Sequence, residues 1–362
     1  MSSGARPLRL ALLGTGAWAR VLARAGQGSS QLEWAGCWSR SAERVGAFAV
    51  EMGLTPIADL TSIWHDESIE GVVIALPNDV HRNYATLAAC HGKHVFIEKP
   101  IADSLRDGLS IAALQPAFGV RISVGHCARL LAGNRAIQRA IDAGDLGRVT
   151  MIETRFANSR GLRLTPADWR WHQRSAPGGP LSQIAIHQLD VLHALGGDIE
   201  SVSAQSARLS PAGAEVEDQW LVGVRFASGA LGHVASSWTS AGEYSVRASG
   251  TTASLHYTID QTRWADAGRL HEAATLVRTD VGTAATQRLD VEPGNMFRDE
   301  LEAFAAAIRD GSEPALSADN GCRALAAVDA ALLSAARGGT AVTLLEVFDA
   351  ARRRDGSAVL AA

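Results

Sequence analysis

The stretch Leu8-Arg9-Leu10-Ala11-Leu12-Leu13-Gly14-Thr15-Gly16-Ala17-Trp18-Ala19 decides how the rest of the chain is read. Residues 8–13 hold one charge among apolar side chains, the composition and length of a parallel strand buried on both faces. Two glycines stop the strand, and residues 17–27 carry a helical pattern. A glycine turn between a buried strand and a helix N-terminus suits a diphosphate. The first glycine permits the tight turn, the second lets backbone approach the phosphates, and the small Ala19 lets helix and strand pack closely. The hexapeptide alone is a weak signal, because glycines often end strands for steric reasons. The strand–turn–helix setting makes Gly14, Thr15, Gly16, Ala17 and Trp18 candidates for dinucleotide binding.

Outward from this turn, strands alternate with helices. Strands are predicted over residues 32–38, 71–76, 94–97 and 120–125, and helices over 42–53, 79–91 and 103–114. Such alternation implies βαβ units, a parallel sheet covered on both faces, and an α/β Rossmann domain over residues 1–125. Ligands of such sheets lie outside the carboxyl ends of the strands. Three ends carry conspicuous residues: Gly14-x-Gly16, Pro77-Asn78 and Glu98-Lys99-Pro100. A lysine at such an edge can exchange a proton with a substrate hydroxyl. An NAD site places an acidic residue about 20 positions beyond the third small residue of the turn. Here that position holds Ser39-Arg40-Ser41, and Ser39 with Arg40 suits a 2′-phosphate. NADP is therefore the expected cofactor, with NAD as the alternative.

After Gly125 the pattern changes. A helix over 132–143 precedes strands over 150–156, 201–207, 219–226, 230–239, 243–249 and 253–258, a meander that argues for a largely antiparallel, open-faced sheet. The second domain is thus α+β and spans 126–362. Gly178-Gly179-Pro180 introduces a helix over 181–195, and later helices are predicted over 295–309 and 322–337. Gln183, His187 and Asp190 stand at i, i+4 and i+7, on one helix face. His193 is poorly spaced to complete a metal shell with His187 and Asp190, so no metal is expected. Arg129, Trp169 and Arg170 are candidate substrate-binding residues: a tryptophan face suits a ring and arginine suits a carboxylate.

The 362 residues are 47% hydrophobic and 20% charged, with net charge −4, which suits a soluble protein of two domains and argues against nucleic acid or anionic membrane as partners. Cys37, Cys90, Cys127 and Cys322 are scattered, without zinc or disulfide spacing, so a cytoplasmic setting is expected. Residues 1–7 are short and polar, and 8–13 are too few for a signal sequence or a membrane span.

Further marks accompany these. Pro77-Asn78-x-x-His81 is followed by Gly92-Lys93-His94-Val95-x-x-Glu98-Lys99-Pro100, Gly144-Asp145-Leu146-Gly147 and Gly178-Gly179-x-Leu181-x-Gln183-x-x-x-His187-x-x-Asp190. Glu300-Leu301-x-x-Phe304 and Ser334-Ala335-Ala336-x-Gly338 close the set. Over nearly the whole chain this ordered set resembles the glucose–fructose oxidoreductase / inositol dehydrogenase / MocA (Gfo/Idh/MocA) family. The resemblance implies hydride transfer between a nicotinamide cofactor and a secondary alcohol or ketone of a sugar, polyol or cyclic dihydrodiol. It implies a homodimer or homotetramer assembled through the second domain's sheet. It makes Lys99 the residue that bonds the reacting hydroxyl and His187 the acid/base, meeting beside the nicotinamide. It also places Pro77, Asn78, His81, Glu98 and Lys99 on the cofactor side. Position 183 is often Asp in the family, and Gln183 cannot ionise. That departure keeps open a second expectation, a sensor or non-redox enzyme with permanently bound dinucleotide.

Overall fold

A computed structural model describes residues 6–264 and 266–356, so residues 1–5 of the polar start lie outside the described residues. In the first part of the chain β1 (Leu8–Leu13), β2 (Leu32–Trp38), β3 (Gly71–Ile74), β4 (His94–Glu98) and β5 (Ile122–Gly125) form one sheet in the order β2-β1-β3-β4-β5. Every neighbouring pair in it is parallel. The connections carry α1 (Ala17–Gln27), α2 (Ala42–Met52), α3 (Leu60–His65), α4 (His81–Cys90) and α5 (Leu105–Phe118). The strands are apolar along almost their whole length because helices on both faces keep water away.

Further along come α6 (Ala132–Asp142), β6 (Val149–Ala157), α7 (Ile186–Gly196), β7 (Ile199–Ala207), β8 (Gln219–Phe226) and β9 (Leu231–Ser237). They are followed by β10 (Glu243–Gly250), β11 (Ala253–Ile259), β12 (Ala274–Asp280) and β13 (Thr286–Leu289). Then follow α8 (Met296–Asp310), α9 (Ala318–Ala336), β14 (Val342–Thr343) and α10 (Leu344–Gly356). The nine strands β6–β14 form one sheet in the order β13-β12-β11-β10-β6-β9-β8-β7-β14. It is not a simple meander: β6 lies between β10 and β9 and runs parallel to β9, while the other pairs are antiparallel. One face alternates into the core through Ile152, Thr154, Trp220, Val222, Val224, Val234, Val246 and Leu255.

The described chain divides into two compact units. The first comprises residues 6–127 with Met296–Cys322, and the second Ala128–Asn295 with residues 323–356. The domain boundary is expected at 125/126; by packing, the first unit runs to Cys127 and takes in segment 296–322, expected with the second domain. Side-chain packing is the reason. Phe297, Leu301 and Phe304 of α8 are buried, with Phe304 edge-on to Phe96 of β4 at 5.9 Å and Phe297 5.8 Å from Trp18 of α1. Arg309 closes the helix with a 2.6 Å ion pair to Glu70.

Candidate active site

In the first unit the glycine turn has the geometry its residue types require. Gly14 has φ of +123°, and a Cβ there would stand 2.2 Å from the Ala75 carbonyl oxygen, so only glycine fits between β1 and the end of β3. Gly16 is the N-cap of α1, and a Cβ built on it meets nothing within 4 Å. No side chain caps the helix and its first turn has no acidic residue. The first backbone N–H groups of the helix thus have no side-chain cap, and the space beside Gly16 is open, an arrangement that suits a diphosphate by hydrogen bonding and by charge. The Thr15 carbonyl accepts from Arg20 Nη1 at 3.0 Å, and Ala19 is buried. The Trp18 ring packs on Phe297, which leaves its backbone as the part available to a cofactor.

At the end of β2, Ser39 Oγ donates to the Ser41 carbonyl at 3.1 Å, and Ser41 Oγ caps α2 by accepting from Arg44 N. Arg40 is exposed and has no ion-pair partner among the described residues. Trp38 is buried against Tyr84, so it packs within the unit.

Pro77 and Asn78 follow β3, with Asn78–Val80 forming a short 3-10 turn. His81, expected on the cofactor side, has 0% exposure. Its Nε2 lies 2.9 Å from the Leu76 carbonyl, and its Nδ1 lies 3.1 Å and 3.3 Å from the carbonyls of Pro100 and Ile101. The ring thus spans the segment after β3 and the turn after Lys99, and burial pushes its pKa down. The Glu98 carboxyl is buried over Gly125, where it accepts from the Lys99 backbone N–H. Burial pushes its pKa up to about 7, against the opposing Lys99 charge. Lys99 itself is half-buried at the carboxyl edge of the sheet, joined to Pro100 by a cis peptide. Lys93 of the same motif is structural: its Nζ donates to the carbonyls of Asp66 and Ile69.

In the second unit Gly178 and Gly179 have φ of +66° and +51°, and a Cβ on Gly179 would lie 2.2 Å from the Glu217 carbonyl. They bring the chain into a helix that opens differently from expectation. Leu181–Ala185 is one π turn, and α7 follows from Ile186. Such turns inside helices are rare and concentrate at functional sites. Gln183 lies on the π turn, half-buried, and His187 lies one turn on, buried. Asp190 is taken up by Arg129 in an ion pair through Nε and Nη2. The side chains are 17% and 1% exposed, so removing either partner would cost about 3–5 kcal/mol. Arg129, expected at the substrate, has its charge paired with Asp190. Trp169 is 47% exposed, and the Arg170 guanidinium stacks 4.0 Å above its ring.

The sheet edge of the first unit therefore gathers the glycine turn, Pro77-Asn78 and Lys99, and one helix of the second unit carries Gln183 and His187. Sequence patterns did not single out Glu300, Arg160 or Arg163. Glu300 lay within a motif attributed to a closing helix, and the density of arginines between 158 and 175 was the available signal for the other two.

A parallel sheet with an uncapped glycine-rich helix start, joined to an α+β unit, has the architecture of a dinucleotide-binding protein. Residues 8–126 match the family described as "Oxidoreductase family, NAD-binding Rossmann fold", and residues 134–256 match the GFO/IDH/MocA C-terminal domain. A solved protein from Desulfitobacterium hafniense, provisionally described as an NADPH-dependent oxidoreductase, is 31% identical. It superposes with a TM-score of 0.91, covering 95% of this chain and 99% of its own. The 1,5-anhydro-D-fructose reductase of Ensifer adhaerens is 28% identical over 309 residues, 83% of this chain and 88% of its own. The scyllo-inositol 2-dehydrogenase (NAD(+)) of Bacillus subtilis is 29% identical over 71% of this chain and 72% of its own. The chain belongs to the Gfo/Idh/MocA oxidoreductase family. It is an enzyme of the NAD(P)-dependent dehydrogenase and reductase class.

Proposed function

We propose that the protein is an NADP-dependent dehydrogenase or reductase acting on a secondary alcohol or ketone of a sugar, polyol or cyclic dihydrodiol, with NAD as the alternative cofactor. The observation that carries this reading is an alignment. The glycine turn, Pro77-Asn78 and Lys99 follow β1, β3 and β4, adjacent strands of one parallel sheet, and so share its carboxyl edge. Lys99 stands two strand spacings, about 10 Å, from the glycine turn.

The backbone of Gly14, Thr15, Gly16, Ala17 and Trp18 holds the diphosphate, and Ser39 and Arg40 hold the 2′-phosphate. Pro77 and Asn78 border the same edge. The bound dinucleotide supplies a hydride acceptor or donor. Lys99 hydrogen-bonds the reacting oxygen and His187 removes or returns its proton. Gln183 orients a substrate hydroxyl without ionising. The protein works in the cytoplasm as a homodimer or homotetramer.

The test measures reduced-cofactor formation over a panel of polyols, cyclic dihydrodiols and sugars. Lys99→Ala and His187→Ala are each expected to lower kcat about a hundred- to ten-thousand-fold while cofactor affinity holds within a few-fold. Equal turnover in either variant would end that residue's assignment. Purified protein carrying a dinucleotide that no substrate discharges would favour the non-redox alternative.

A further inference from the structure

Between residues 158 and 175 the chain has four arginines, Arg160, Arg163, Arg170 and Arg174, against one acid, Asp168, in a protein whose net charge is −4. Three of them sit on two short 3-10 turns, Arg160–Arg163 and Trp169–Trp171. Both turns are pinned to one small core of Leu164, Ala176, Val216 and Trp238, with Trp171 packed against it. Gly161 N–H donates to the Trp238 carbonyl at 2.8 Å, and its carbonyl accepts from Ser210 Oγ at 2.7 Å. The Trp171 carbonyl accepts from Glu215 N at 3.1 Å. These bonds hold the guanidinium-bearing turns in place.

Arg160, Arg163 and Arg170 have no ion-pair partner among the described residues. Asp168 is the only carboxylate that acts on Arg160 and Arg170, and its Oδ2 already accepts from Thr165 N and Oγ1, each at 2.9 Å. Arg170 is half-buried, its Nε is shielded from water without a hydrogen-bond partner, and its plane is fixed over Trp169. Burial and then the charge of Arg160 push the Arg170 pKa down to about 10. Arg160 is lowered too, by desolvation and then by Arg163. Guanidinium groups of like charge thus act on one another, Arg163 on Arg160 and Arg160 on Arg170, with no ion pair to offset them among the described residues. An oxyanion placed among them would take up their donors in charge-assisted bonds and relieve the repulsion.

We propose that Arg160, Arg163 and Arg170 form an oxyanion-binding site, and that the substrate is an acidic sugar or polyol bearing a carboxylate or a phosphate monoester. The arginine triad reads the acidic group and Trp169 lies beside it as a flat surface for the ring. The anion site stands on this cluster alone. Its role as a substrate determinant rests on the oxidoreductase reading above.

Binding and turnover separate the two. Calorimetric titration uses the full chain with inorganic phosphate, D-glucuronate, D-glucose 6-phosphate and D-glucose. At least one acidic sugar is expected to bind about ten-fold or more tightly than glucose, with affinity falling as salt rises. The Arg160→Gln/Arg170→Gln variant is expected to lose that advantage. Arg170→Lys, which keeps the charge but loses the stacked fork, is expected to lose part of it, which covers the case of a double variant that fails to fold. The uronate and phosphate arms identify which oxyanion is preferred. Equal affinity for acidic and neutral sugars overturns the proposal, as does unchanged anion affinity in both variants. So does a double variant that loses NADPH affinity instead, which would assign the cluster to the cofactor. Anion binding without turnover of any sugar would leave the cluster standing and remove the redox reading. Turnover of neutral polyols, undiminished in the variants, would do the reverse.

Discussion

Two carboxyl groups in the first unit are shut away from water with little to compensate them. Glu300, on α8, is 1% exposed, and neither of its oxygens has a hydrogen-bond partner among the described residues. Burial pushes its pKa well above the usual range, and Glu98 and then Asp299 push it further. Both Glu98 and Glu300 therefore have folded values above their unfolded ones. Their stabilising contribution, made by the protonated forms, is complete below the ordinary value of 4.5 and is lost as pH rises, for Glu98 through about 7. Glu300→Gln, which keeps the shape and removes the charge, is expected to stabilise the protein at pH 8 by about 1–3 kcal/mol and to leave it nearly unchanged at pH 5. Thermal melts at the two pH values check this, and an equal gain at both would contradict it. Residue roles were only partly legible. Lys99 stood out because a strand end and a proline framed it. Glu98 looked like its equal because nothing local separates an inward carboxyl from an outward one, and the burial of His81 was hidden for the same reason.

Among elements, the junction between β2 and α2 carries the proposed preference for NADP. Ser41 is committed to capping α2, so the exposed guanidinium of Arg40 is the group there that could hold a 2′-phosphate. Arg40→Ala is expected to weaken NADPH binding about ten-fold or more and to leave NADH binding within about two-fold, because one charge-assisted contact is lost. Equal losses for both cofactors in fluorescence titrations would remove the preference. Elements with a clear period and hard stops were legible: β1, α1, β2 and β8 begin and end where their spacing predicts. Missed were α3, β12, β13, β14 and α10. β12 and β13 mix threonine and arginine with few apolar positions, so their strand character comes from pairing with β11 and with each other. The π turn was invisible for a related reason. It differs from an α turn by one residue in hydrogen-bond register, while the apolar pattern that predicts a helix is the same.

On the scale of the whole molecule, the nine-stranded sheet leaves apolar groups on its second face. Met151 pairs across strands with Leu231, and Leu221 lies on the next strand; they are 37%, 42% and 54% exposed. Assembly of copies through this face is expected to cover them. In light scattering the wild type is expected to run as a dimer or tetramer and the variant with Leu221→Arg and Leu231→Glu as a monomer, with secondary structure retained. A wild type already monomeric at micromolar concentration, or an oligomer that survives both changes, would rule the arrangement out.

From sequence alone came what local chemistry dictates. A charge-poor run buries as a strand, two glycines open a helix start, alternating patterns separate a parallel from an antiparallel sheet, and a lysine follows a strand at the ligand edge. Tertiary structure decided what depends on distant partners: that α8 packs with the first unit, that β6 runs beside β9, that Asp190 takes up Arg129, and that His81 and Glu98 face inward. Those outcomes are set by which surfaces exclude water together, and no window of neighbouring residues contains both surfaces.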